Sequence, residues 1–254
     1  MHYGYWDETT NNLRAALSNM NSKVAAFAHI SPGSTVLDAG CGVGGSSIFL
    51  AKNYECTTTG ITLSNKQVQT CKMNAEKHNV QNTCSFEKQN YLHTTFTDNS
   101  FDVIWAIESV CYAYDKTDFL KEAYRLLKPG GKLIVADFFE NDTIPNISDT
   151  TLLDKMADTW SIKKFAGKNE FESKMDTAGF INFKKSDVTG NVIKSIKRLY
   201  YSFFPGIVIT NVAQTMGFRN KVQTANTWST YYQYKAYKKQ LWRYMFFYGE
   251  KPIS

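Results

Sequence analysis

Residues 35–45 read Thr35-Val36-Leu37-Asp38-Ala39-Gly40-Cys41-Gly42-Val43-Gly44-Gly45, an apolar β-branched run that meets four glycines in six positions and passes directly into a helix-forming stretch. Few folds accept such a junction. Glycine tolerates positive φ and lets the backbone approach a ligand that a Cβ would exclude, and the N-terminus of the following helix presents unpaired N–H groups. The segment therefore predicts strand, ligand-binding turn and helix, the opening unit of an open α/β sheet.

The chain continues in the same manner to about residue 138. Strands are expected at Thr35 to Ala39, Cys56 to Ile61, Cys84 to Lys88, Phe101 to Ala106 and Lys132 to Asp137, and helices at Gly44 to Asn53, Ser64 to Asn79 and Lys116 to Leu127. Ser64-Asn65-Lys66-Gln67 has the form of a capping box, and Lys128-Pro129-Gly130-Gly131 closes the third helix. Further on, helices are expected at Ser148 to Phe165 and Glu170 to Ala178, a strand near Ile181 to Val188, helical or irregular chain from Val192 to Gln240, and a last strand at Leu241 to Tyr248. The expectation is a Rossmann-like, seven-stranded, mostly parallel sheet with an antiparallel last strand and a helical cap. One domain would span 1–254, with an N-terminal lid (1–30), a cofactor-binding core (31–140) and an aromatic helical insertion (189–240).

A glycine turn alone does not choose its ligand, because dinucleotide-binding folds use a similar one. Asp38, two residues before Gly40, would sit poorly beside a pyrophosphate and would favour the ammonium and sulfonium charges of S-adenosylmethionine. The end of the second strand, Thr59-Gly60-Ile61-Thr62-Leu63-Ser64, lacks the carboxylate with which a dinucleotide enzyme grips ribose hydroxyls.

Gly60-Ile61-Thr62-Leu63-Ser64 with Gln67 resembles the G-[IV]-[TD]-x-S-x-x-Q segment of a class I S-adenosylmethionine-dependent methyltransferase branch. That branch contains cyclopropane-fatty-acid synthases, tocopherol and isoprenoid or sterol C-methyltransferases, and natural-product sugar O-methyltransferases. Phe101 to Ser109 and Leu126 to Leu133 resemble its fourth strand and the entry to its fifth, so the resemblance covers roughly residues 30–140. It implies S-adenosylmethionine as the cofactor, held by Asp38, Gly40, Cys41, Gly42 and Gly44, with Thr62 and Gln67 at the ribose, and Ala106 on the fourth strand. Asn90 stands, beside Tyr91, where relatives carry an acid for the adenine amino group, and its amide oxygen can accept the same hydrogen bond.

The acceptor side is read from Glu108-Ser109-Val110-Cys111-Tyr112-Ala113-Tyr114-Asp115. Sugar O-methyltransferases place a histidine pair here, which this chain lacks. Glu108 with Tyr112 and Tyr114 instead resembles the acidic and aromatic site of isoprenoid C-methyltransferases, including geranyl diphosphate and sterol side-chain enzymes. Methylating an alkene creates a carbocation, which aromatic faces stabilise while a carboxylate offsets charge or accepts the released proton. Glu108 and Tyr112 are thus the catalytic candidates, against the alternative that Glu108 anchors a loop or the cofactor. His2-Tyr3-Gly4-Tyr5-Trp6 resembles an H-x-G-[YF]-[WY] element that closes over the ligands, making Tyr3, Tyr5 and Trp6 lid candidates, with core packing the competing role for Trp6. Of the histidines, His2 alone stays in consideration. The aromatics at 200–218 and 228–234 would wall a lipophilic pocket or bury a homo-oligomer interface.

Five cysteines with no C-x-x-C pair suggest neither a disulfide framework nor a metal centre. Met1 to Glu8 show no secretory pattern, no apolar run approaches a membrane span, and a reducing cytoplasm is the expected location. The net charge of +6 gathers after residue 160, on solvated helix faces or as an attraction to an anionic acceptor or a membrane surface, which leaves peripheral contact open. Ala106-Ile107-Glu108-Ser109 is unlike the Pro-Pro-Tyr motif of base methyltransferases, so a nucleic-acid substrate is not expected. The expected activity is methylation of a small lipophilic acceptor at carbon. O- or N-methylation of a natural product or phospholipid headgroup is the alternative, and a non-catalytic scaffold a further one.

Overall fold

The computed structural model describes residues 2–144, 146–215 and 221–253. In chain order the elements are α1 (Leu13–Phe27), β1 (Thr35–Ala39), α2 (Gly45–Tyr54), β2 (Thr57–Thr62), α3 (Asn65–Lys77), β3 (Cys84–Lys88), β4 (Phe101–Ile107), α4 (Lys116–Leu126), β5 (Leu127–Glu140), α5 (Ile147–Thr159), α6 (Lys168–Thr177), β6 (Ile181–Asp187), α7 (Thr189–Thr215), α8 (Lys221–Lys238) and β7 (Trp242–Glu250). The seven strands form one sheet in the order β3-β2-β1-β4-β5-β7-β6, with β7 antiparallel to both neighbours and the rest parallel. This is the architecture the sequence predicts, with the α7–α8 insertion placed before the last strand.

Side-chain alternation along β4 sorts the two faces of the sheet. Val103, Trp105 and Ile107 join Met20, Val24 and Met156 on one side, while Ile104 and Ala106 join Phe119, Leu120 and Met175 on the other. The fifth strand is longer than its apolar run. Leu127 pairs with Phe101 and Lys132 with Val103, so the residues Lys128 to Gly131 are absorbed as a bulge and the proline and glycines do not lead the chain out of the sheet.

Two expectations need correction. Residues 1–30 are not a lid throughout, because α1 occupies half of them, capped by the Asn12 side chain on the Ala15 N–H and burying Ala16, Met20 and Val24. The aromatic side chains of the insertion pack largely on one another. Tyr200 stacks on Tyr231 and Tyr234, and Phe203 packs on Trp228 and Tyr231, joining α7 to α8. Tyr201, Phe204, Val208 and Ile209 remain exposed on α7.

Candidate active site

The strand order reverses between β1 and β4, and there the loops at the strand ends diverge to leave a crevice. A cavity of about 970 Å³ opens at that point. Its floor is Asp38, Gly40, Cys41 and Gly42 at the end of β1 and Ile107, Glu108, Cys111 and Tyr112 at the end of β4, with Gln67 at one end. Its walls are Leu13, Arg14, Leu17 and Asn21 of α1, Phe49 of α2, Trp160 after α5, and Ser195, Arg198 and Leu199 of α7.

Gly40 has φ +98°, and a Cβ there would lie 2.5 Å from the Cβ of Ser109. Only glycine lets the β1 loop lie against the β4 loop at this distance. Asp38 is buried, accepts a 2.7 Å hydrogen bond from the Ser47 hydroxyl, and burial pushes its carboxyl up to about 6. Gln67 departs from the expected capping box. Ser64 caps α3 through the Gln67 N–H, but the Gln67 side-chain oxygen accepts from the Thr62 hydroxyl, which fixes the glutamine at the cavity edge.

Glu108 follows β4 with φ +50°, a conformation an L-residue holds only when its surroundings enforce it. Its N–H donates to the Ala136 carbonyl, and its Oε1 accepts from the Tyr3 N–H at 2.7 Å and the Tyr244 hydroxyl at 2.8 Å. Both donors meet one oxygen. Oε2 has no hydrogen-bond partner among the described residues, on a side chain that lines the cavity. Burial pushes the carboxyl up to about 8, against the two donors, and the buried Asp137 carboxylate adds to the rise. Asp137 itself accepts from the Cys111 N–H, and the buried Lys116 ammonium donates to the Cys111 and Ala113 carbonyls, so the turn carrying Tyr112 is pinned from below.

Tyr3 reaches Glu108 because residues 3–6 thread between α1 and α7. Tyr5 N–H donates to Ala16, Trp6 N–H to Asn191, and both Gly4 N–H and the Trp6 indole to the Ser195 hydroxyl. Gly4 has no room for a side chain, since a Cβ would lie 2.5 Å from that of Ala16. Gly4→Ala is therefore expected to cost about 1–3 kcal/mol of overpacking. That corresponds to a fall of about 2–12 °C in Tm, read by thermal melting against wild type.

The structure gathers Asp38, Gly40, Cys41, Gly42, Gln67, Glu108, Tyr112 and Tyr3 on one cavity, together with His2. It does not place the remaining candidates there. Gly44 caps α2 with φ +82°, and a Cβ there would meet Phe86 and Cys71. Thr62 acts behind Gln67. Ala106 faces the opposite side of the sheet, as alternation requires. Asn90 is exposed and spends its amide oxygen on the Leu92 N–H, and the Tyr91 hydroxyl donates to the Ser109 carbonyl, bracing the loop behind the cavity. Trp6 is core packing under the Lys194 ammonium, Tyr5 packs on Phe246, and Tyr114 is exposed beneath Lys163. Residues 216–218 of the aromatic insertion lie outside the described residues.

A doubly wound sheet of this order, with a glycine turn after β1 and a carboxylate beside it, defines a Rossmann-like nucleotide-cofactor fold of the methyltransferase class. Residues 37–135 match the family model described as a methyltransferase domain. The match makes this stretch a methyltransferase domain. A 2-methyl-6-phytyl-1,4-hydroquinone methyltransferase of Synechocystis is 39% identical over 59% of this chain and 47% of its own length. A 27-O-demethylrifamycin SV methyltransferase of Amycolatopsis mediterranei is 35% identical over 54% of this chain and 51% of its own. The matched part thus spans about half the length of these curated relatives. In fold, the crystal structure of the cyclase SpnF superposes with a TM-score of 0.83 at 21% identity, over 100% of this chain and 89% of that one. No helix among the described residues is long and apolar enough to cross a membrane.

Proposed function

We propose that the protein transfers a methyl group from S-adenosylmethionine to a small lipophilic acceptor, at a carbon of an isoprenoid-like molecule. The observation that carries this reading is the continuity of one cavity from the Gly40 turn and Asp38 to the unpartnered Oε2 of Glu108. Its residues suit the cofactor. Gly40 lets the turn after β1 close against Ser109 of the β4 loop, and Asp38 offers a buried carboxylate with one oxygen bound only to Ser47. When bound, S-adenosylmethionine supplies an electrophilic methyl on a sulfonium centre.

Asp38 favours the cofactor's cationic amino-acid end, and Gln67, held by Thr62, presents its amide to ribose hydroxyls. Leu13, Leu17, Ile107 and Leu199 give the acceptor apolar walls, and Tyr3, Phe49, Tyr112 and Trp160 bring aromatic rings to the same space. Those rings suit a transient carbocation, and Glu108 takes up the released proton at Oε2. The threaded N-terminal residues keep water from that end of the cavity.

O-methylation is the second reading, favoured by the rifamycin relative, in which the same Glu108 oxygen would take the proton of a hydroxyl. Radiolabelled S-adenosylmethionine with a panel of prenylated hydroquinones, hydroxylated polyketides and amines separates them, the new methyl being located by NMR. A carbon-bound methyl on a prenylated acceptor is expected. Label found only on oxygen or nitrogen would overturn the carbon reading.

A further inference from the structure

We propose that Arg14 and Arg198 form an oxyanion clamp at the rim of the cavity, which selects an acceptor carrying a phosphate, diphosphate or carboxylate group at the end remote from the methylated atom. The inference rests on the reading of this cavity as the methyl-transfer site and adds the chemical class of what enters it.

The described arginines fall into two groups. Arg125 is bound by Asp98 and Glu122, and Arg243 lies 3.4 Å from Asp187. Arg14 and Arg198 have no ion pair or hydrogen bond among the described residues, and these two are the arginines that line the cavity. Among the described residues no lysine lines it, although lysine is far commoner in this chain. Arginine differs from lysine in presenting a planar fork of donors that matches two oxygens of one anion. Two guanidinium groups without a partner on one cavity leave their donors free for an anion there.

Their placement also fits a headgroup site. Arg14 shares a face of α1 with Leu17 and Asn21, three and seven residues on, and that face lines the cavity. Arg198 lies one turn beyond Ser195 on α7, which anchors the N-terminal segment from the other side. Both arginines are exposed, so they stand at the solvent edge, whereas Asp38 and Glu108, the acids of the cavity, lie deep and already accept hydrogen bonds. A charged head held at that edge stays partly hydrated, while its apolar chain runs inward along Leu13, Leu17 and Trp160 toward Glu108.

The test is calorimetry on the full chain saturated with S-adenosylhomocysteine, using a C15 prenyl alcohol, its diphosphate and the corresponding carboxylic acid. At least one anionic form is expected to bind tenfold or more tightly than the alcohol. Arg14→Gln and Arg198→Gln should each remove most of that preference, and the double variant all of it, with S-adenosylhomocysteine affinity and Tm unchanged. Equal binding of alcohol and anions by wild type would overturn the proposal. So would variants that lose S-adenosylhomocysteine affinity and keep the preference, since the arginines would then serve the cofactor's own carboxylate. Inorganic pyrophosphate bound as tightly as the prenyl diphosphate would reduce the site to one for a free anion and overturn its acceptor role. If S-adenosylhomocysteine fails to bind wild type, the methyltransferase reading fails by itself. Pyrophosphate titrated into cofactor-free wild type and double variant then still decides the clamp, which loss of binding in the variant supports and equal binding overturns.

Discussion

Gly40→Ala is expected to weaken S-adenosylhomocysteine binding at least 100-fold, about 2.7 kcal/mol, while leaving a folded protein. Two independent costs meet at this position. An alanine at φ +98° is held in left-handed backbone at about 1–2 kcal/mol, and its Cβ would press on the Ser109 Cβ at 2.5 Å. The loop can relieve both by withdrawing from the β4 loop, which carries the Gly40–Gly42 backbone away from the ligand. Ser109→Gly removes the opposing Cβ, so the double variant should recover the steric part and retain only the backbone penalty. Calorimetry on the four proteins separates the two. No recovery in the double variant would mean that the close approach of the two loops is not what positions the turn.

Glu108→Gln is expected to lower kcat/KM for methyl transfer by about 10²–10⁴ and to change the shape of its pH profile. Glutamine keeps an oxygen for the Tyr3 and Tyr244 donors, so the turn after β4 is preserved and proton acceptance alone is lost. Burial holds the wild-type carboxyl near pH 8. The raised value means that the proton-accepting form is the minor one at neutral pH, so the rate should climb about tenfold per pH unit toward 8 and then level. A sulfonium bound nearby favours the carboxylate, so the limb in kcat should lie at lower pH than the limb in kcat/KM for the cofactor. The glutamine variant should show neither. A variant that retains the full rate and the same limb would reduce Glu108 to an anchor for residues 3–6.

The sheet was legible because parallel strands buried on both faces show as short apolar runs, and the glycine turn fixed where the first one ends. Asp38, Gly40, Glu108 and Tyr112 were legible for the same reason, since strand ends deliver them to the reversal between β1 and β4, and Gln67 follows from the first turn of α3. Gly44, Ala106 and Tyr114 show the limit of proximity in sequence: each neighbours a cavity residue, yet backbone geometry directs it elsewhere. Arg14, Phe49, Trp160 and Arg198 carry no local signal at all. They become neighbours only when α1, α2, the end of α5 and α7 pack around the sheet, and no periodicity specifies that meeting. The α1 helix itself has a signal, Asn12 followed by Leu13, Ala16, Leu17, Met20 and Val24, but nothing in the spacing shows that its half-buried face borders a ligand.

The bond from Tyr3 to Glu108 is made by a backbone N–H. Nineteen of the twenty amino acids can supply it and proline cannot, so this contact places almost no selective demand on the identity of residue 3. Relatives could diverge there freely and still hold the carboxylate in place, and a scan of side-chain substitutions at that position would report it as dispensable to this contact.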